Sequence, residues 1–183
     1  LGDVYKRQVH IPLKEVSETL RRSDALRTSI EALSKALMKD FAIPSPRIAV
    51  LGLNPHASDG GVIGREEIEW IQPELDRLKE TFNVDGVFAA DGFFGAKLYK
   101  QFDAVLALYH DQGLIPFKML AFETGVNVTA GLPIVRTSPD HGTAFDIAGK
   151  GIANPKSFIE ATLLACEIAA QRKKYQVSSG VEA

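Results

Sequence analysis

Two short runs constrain this chain more than any other feature, because they are apolar at nearly every position. Arg47-Ile48-Ala49-Val50-Leu51-Gly52-Leu53 and Asp103-Ala104-Val105-Leu106-Ala107-Leu108-Tyr109 lack the polar alternation of a strand with one wet face. Such runs belong in a sheet buried on both sides. Stretches with helical spacing lie between and around them. Residues 12–41 carry Leu26, Ile30, Leu33 and Leu37 on one stripe, with Ser23 or Asp24 as the N-cap of a second part and Pro44 and Pro46 as terminators. Residues 66–80 repeat Ile68, Ile71, Leu75 and Leu78, with Pro73 expected to kink the helix. Residues 155–173 form a closing helix with Phe158, Leu163 and Ile168 turned inward. Further short strands are expected at 87–90, 126–129 and 134–136. Strands apolar on both faces that alternate with helices predict an α/β fold with three layers, α/β/α. Ligands of such sheets bind beyond the carboxyl ends of the strands, which directs attention to the loops after Leu53, Tyr109 and Arg136.

Composition narrows the classes. The 183 residues carry a net charge of -2, which argues against nucleic acid or a membrane surface as partner, since both need a basic patch. No apolar run approaches the ~20 residues that span a bilayer. The one cysteine, Cys166, cannot form an internal disulfide and sits in an apolar helical pattern, so it is read as a small core residue. A cytoplasmic location is expected. The run Asp3-Val4-Tyr5-Lys6-Arg7-Gln8 resembles the translated end of a transposon used to prepare DNA sequencing libraries. Residues 1–8 are therefore expected to be a foreign scar, residues 9–175 the native portion, and residues 176–183 a disordered tail.

Three of the four histidines follow or border apolar runs. His10 precedes Ile11-Pro12-Leu13, His56 ends Gly52-Leu53-Asn54-Pro55-His56, and His110 opens His110-Asp111-Gln112-Gly113. Three neutral imidazoles at one sheet rim suit a divalent metal with positions left open for substrate. Spacing alone leaves the alternative of hydrogen-bonded structural histidines, since no pair has the short helical spacing of a recognised zinc motif. Asp111 reads equally as a group that orients the His110 ring or as a helix N-cap.

Together these segments resemble the 4-hydroxythreonine-4-phosphate dehydrogenase family. The matching text is H-I-P-L (10–13), L-G-L-N-P-H-A (51–57), A-D-G-F-F (90–94), Y-H-D-Q-G-L-I-P-F-K (109–118), G-V-N-V-T-A-G-L-P (125–133) and R-T-S-P-D-H-G-T-A (136–144). The resemblance implies a two-domain enzyme of the isocitrate and isopropylmalate dehydrogenase type, of which this chain is the C-terminal portion. It implies one divalent metal (zinc, magnesium, manganese or cobalt) on His10, His56 and His110, and a substrate held by Lys118, Asn127 and Arg136. The stretch His141 to Pro155 resembles the loop that wraps the adenosine of NAD in those relatives, with His141, Asp146 and Asn154 as cofactor contacts. The family forms homodimers whose active sites draw metal ligands from both subunits. It usually reads N-P-H-A-G-E-G-G, whereas this chain has Ser58-Asp59, which puts the backbone freedom of a glycine in doubt there.

The expected reaction is oxidation of 4-phosphooxy-L-threonine by NAD, then loss of carbon dioxide to give 3-amino-2-oxopropyl phosphate, in vitamin B6 synthesis. Lys118 and Arg136 supply fixed positive charge for the phosphate or carboxylate. Asp91, with Lys118, is the catalytic candidate, receiving the substrate amine or moving a proton. Two alternatives stand beside this: a paralogue acting on phosphorylated four-carbon sugar acids such as phosphothreonate, and a fragment with no catalysis of its own.

Overall fold

The computed structural model describes residues 10–139 and 145–179. At its centre is β1 (Ile48–Leu51), buried at all four positions. β2 (Val84–Phe88) and β3 (Ala104–Leu106) flank it in the order β2-β1-β3, and both pair parallel to it. The apolar run around β1 is explained by what covers it. Ile48 and Val50 face Leu26, Ile30, Leu37, Ile71, Leu75, Leu78 and Leu108. Ala49 and Leu51 face Phe93, Phe88, Phe94 and Phe102 on the other side. A strand with no wet face has no room for polar alternation. The β1–β2 register slips between Val50 and Leu51. There Gly86 has φ 147°, and a Cβ on it would run into the Val50 carbonyl oxygen; only glycine fits.

Helices cover both faces of β1. The helical stretch over 12–41 comes in parts, with the break where the N-cap was expected: a single turn Leu13–Glu15 leads to α1 (Val16–Arg22), and α2 (Ala25–Phe41) starts after Asp24, which has φ 49° and makes no side-chain cap bond. The helix expected over 66–80 opens with a wide π turn, Glu67–Ile71, and continues as α3 (Gln72–Leu78) with Pro73 in its first turn. Proline lacks an N–H to close the ordinary ladder, which accounts for the wide turn just before it. α4 (Ala90–Gly95) follows β2, and α5 (His110–Ala121) follows β3.

The remaining strands do not join the parallel sheet. β4 (Val126–Val128) and β5 (Thr137–Pro139) form a separate antiparallel ribbon. The strand expected at 134–136 thus lies three residues later. The ribbon packs on α6 (Lys156–Ser179), which in turn packs on α2. α6 continues past Lys173 into the segment from Gln176 that was expected to lack structure. Its buried stripe is Ser157, Ala161, Ile168 and Arg172. Phe158 and Leu163 lie off that stripe and are exposed, as is Cys166, so the core reading of these three residues is corrected. Apolar content along α6 does not mark its inner face, because a polar residue, Arg172, fills part of it. Among the described residues no helix is long and apolar enough to cross a membrane.

Candidate functional site

The three parallel strands end on one rim, and the segments that leave it carry His56, Asp91 and His110. His110 is the first residue of α5, set there because Tyr109 is still extended at φ -148°, ψ 164°. No side chain caps this helix. Asp111 instead accepts from Nδ1 of His110 at 2.7 Å, which selects the orienting role for Asp111 over the N-cap. With the proton on Nδ1, Nε2 keeps the lone pair that a metal ligand needs. The His10 ring lies beside it, with ring centres 5.1 Å apart and planes at 57°. Two imidazoles on one tetrahedral ion, with bonds of about 2.0–2.1 Å, have ring centres roughly 5 Å apart. The spacing of the pair matches that of two ligands of one divalent ion. A cleft of about 160 Å³ beside it is lined by Ile11, Leu13, Val16, Tyr109, His110 and Asp111.

His56 does not join this pair within the chain: among the described residues no group of three or more His, Cys, Asp or Glu side chains is placed to hold a metal. His56 is exposed and rides on a left-handed segment. Five successive residues, His56 to Gly60, have φ of 53°, 50°, 70°, 45° and 65°. Four of them are not glycine, and the left-handed conformation costs such residues about 1–2 kcal/mol each. Ser58 adds a hydroxyl that is buried with no hydrogen-bond partner.

The other expected residues are spread more widely. Asp91 is exposed in the first turn of α4. With Tyr109, Asp111, Gln112 and Met119 it lines a cleft of about 300 Å³. Lys118 is half-buried, about two turns along α5 from His110. Asn127 is exposed on β4, opposite Ser138. Arg136 donates from Nη1 to Thr129 Oγ1 at 3.1 Å, across the ribbon. None of these three lines the two clefts around His110. Asn154 accepts from the Lys156 amide at 3.0 Å, which caps α6. Asp146 lies in the turn Phe145–Ile147, with its side chain outside the described part, and His141 lies outside the described residues.

Comparison with known proteins decides the family. A model described as pyridoxal phosphate biosynthetic protein PdxA matches residues 4–165. The chain belongs to the PdxA family. A relative from Prosthecochloris aestuarii, named 4-hydroxythreonine-4-phosphate dehydrogenase, is 58% identical over 164 residues, covering 90% of this chain and 48% of that protein. One of the same name from Bacteroides thetaiotaomicron is 50% identical over 166 residues, covering 90% of this chain and 45% of the relative. The crystal structure of a Klebsiella pneumoniae 4-hydroxythreonine-4-phosphate dehydrogenase superposes with a TM-score of 0.76 at 43% identity, over 87% of this chain and 48% of that one. The chain thus spans about half the length of the relatives it matches.

In this PdxA-family chain the histidine-bearing segments are braced by residues that the sequence reading passed over. Gln112 is buried; its Nε2 donates to the Gly52 carbonyl at 2.6 Å and its Oε1 accepts from the Leu108 amide at 2.7 Å. That ties the end of β1 to the start of α5. Asn54 donates from its backbone N to Glu67 Oε1 at 2.6 Å and from Nδ2 to Glu67 Oε2 at 2.8 Å and Glu66 Oε2 at 2.7 Å. Ser17 of α1 donates to Glu66 Oε1 at 3.1 Å. The Asn54 amide, followed by backbone N–H groups and Ser17, holds the Glu66 carboxyl below the usual glutamate range. Gln112 lies in a quoted motif, but a glutamine in the first turn of a helix and two glutamates at a helix start ordinarily read as solvated, so nothing in the sequence marked their buried bonds.

Proposed function

We propose that this chain contributes to the active site of an NAD- and divalent-metal-dependent dehydrogenase. It would oxidise 4-phosphooxy-L-threonine to 2-amino-3-oxo-4-phosphooxybutanoate, which then decarboxylates to 3-amino-2-oxopropyl phosphate in vitamin B6 synthesis. The observation that carries this reading is the His10–His110 pair, 5.1 Å apart at the sheet rim, with Asp111 orienting one ring. The names of the relatives support the substrate.

His10 and His110 would hold the ion from one subunit, and His56 would reach it from a second copy in a homodimer. An ion held there would supply Lewis-acid polarisation of the substrate oxygen, and NAD would supply the hydride acceptor. The protein's own groups bind and orient. Asp111 keeps the His110 ring in the tautomer that a ligand requires. Asp91, at the mouth of the cleft it shares with Tyr109 and Gln112, receives the substrate amine or moves a proton. Lys118 and Arg136 bind the phosphate and carboxylate, Asn127 orients a polar group between them, and His141, Asp146 and Asn154 contact the cofactor.

Metal titration tests the core of this reading. His110→Ala and His10→Ala should each weaken zinc or cobalt binding by at least ~100-fold. Wild-type affinity in both variants would remove the metal site. In a protein of the relatives' full length, turnover with 4-phosphooxy-L-threonine should exceed turnover with phosphothreonate; the reverse order would move the assignment to the sugar-acid paralogues.

A further inference from the structure

The strained segment that carries His56 cannot hold itself in shape. From His56 to Gly60 every residue is left-handed, a conformation that L-residues leave unless something imposes it. The bonds that close the far side of the segment are backbone ones, Ile63 N to Ser58 O at 2.9 Å and Val62 N to Asp59 O at 3.3 Å. The near side is closed by a backbone bond as well, Ala57 N to Asn54 O at 3.1 Å, so it depends on where Asn54 sits, and Asn54 is anchored by a carboxylate.

Glu67 is 3% exposed. Burying a carboxylate is costly unless donors surround its oxygens. The donors shown are both from Asn54: its backbone N–H to one oxygen and its side-chain amide to the other. This two-point grip fixes the main chain and the side chain of Asn54 together, which a single hydrogen bond would not do. Glu66 takes the same amide from the other side. Gly64 closes the ring: it has φ 81°, and a Cβ there would collide with the Asn54 amide. The chain from 54 to 67 is thus a loop pinched at its neck, with His56 just inside the pinch.

We propose that Glu67 is the positioning residue for His56: by gripping Asn54 it imposes the left-handed turn and sets where the imidazole points. This rests on the metal reading above, and it adds a residue that touches neither metal nor substrate. The neck also reaches the other metal-binding arm, since Glu66 is bonded to Ser17 on the helix that follows His10. A merely structural Glu67 would change the melting temperature and leave the geometry at His56 alone. A positioning Glu67 changes that geometry.

Glu67→Gln is the test, because it keeps the volume and turns one acceptor into a donor facing the Asn54 donors. Glu69→Gln, an equal change of charge on an exposed residue paired with Arg65, is the control. Two quantities are read on the full chain: the cobalt(II) dissociation constant, and the backbone NMR shifts of residues 56–60. In Glu67→Gln the shifts should leave their left-handed values and cobalt should bind 10–100-fold more weakly. Glu69→Gln should match the wild type in both. Wild-type shifts and wild-type cobalt affinity in Glu67→Gln overturn the proposal, even if the melting temperature falls. Should the wild-type chain bind no cobalt, the metal reading fails and the shifts alone decide: moved, the neck holds the loop; unmoved, it does not. If Glu67→Gln does not fold, Asn54→Ala removes the same grip from the opposite side and is read against the same outcomes.

Discussion

Ser58 combines two penalties in one residue. Its φ of 70° suits glycine, and its buried hydroxyl has no partner. A left-handed non-glycine costs about 1–2 kcal/mol, and an unsatisfied buried hydroxyl about 1–3 kcal/mol. Ser58→Gly is therefore expected to stabilise the chain by roughly 1–2 kcal/mol, a rise of about 2–8 °C in the thermal midpoint of a protein this size. An unchanged or lower midpoint would mean that the hydroxyl makes a bond that offsets both penalties. Gln112 shows the converse: a polar side chain buried with both ends satisfied, which joins two rim segments that no apolar residue could register so closely.

Between elements, Arg172 of α6 is tied to Asp40 of α2. Nε and Nη2 meet the two carboxylate oxygens at 2.7 and 2.8 Å, and Nη1 donates to the carbonyls of Leu132 and Pro133 at 3.2 Å each. The Asp40 side chain is 2% exposed. Its carboxylate, as hydrogen-bond partner and then as charge, raises the Arg172 pKa against the opposing effect of burial. One residue thus joins both helices and the loop that leads into β5. Arg172→Ala should cost about 3–5 kcal/mol in urea unfolding, because it leaves a buried charge alone. The double change Asp40→Leu with Arg172→Met should cost clearly less, since a packed apolar pair replaces the ions. Equal losses in the single and double variants would show that the carboxylate is not the source of the penalty.

Over the whole molecule, apolar side chains stand uncovered on several elements. Met119 and Phe122 at the end of α5 are 81% and 75% exposed, Val62 on the His56 loop 81%, and Phe158 on α6 63%. Exposed apolar surface of this extent marks contact surfaces. It accords with the homodimer proposed above, in which His56 crosses to a second copy. Sedimentation velocity should show the chain self-associating as its concentration rises. Met119→Lys should shift it towards monomer if α5 lies in the contact. A chain that stays monomeric over a wide concentration range would leave His56 without a route to the other two histidines.

The local pattern was legible where it reflects local demands. An apolar run with no polar alternation marked β1, because both of its faces are covered. The motif histidines marked the rim, because a segment leaving a parallel strand must emerge at its carboxyl end. Distances along the chain carried no information about which segments meet. That Glu67 is buried against Asn54, that Arg172 fills the inner stripe of α6 while Phe158 and Leu163 face out, and that His10 meets His110 while His56 stays apart all depend on long-range packing. A carboxylate at a helix start or an arginine late in a helix has the same local preferences whether water or a distant partner surrounds it, so only the tertiary structure could decide.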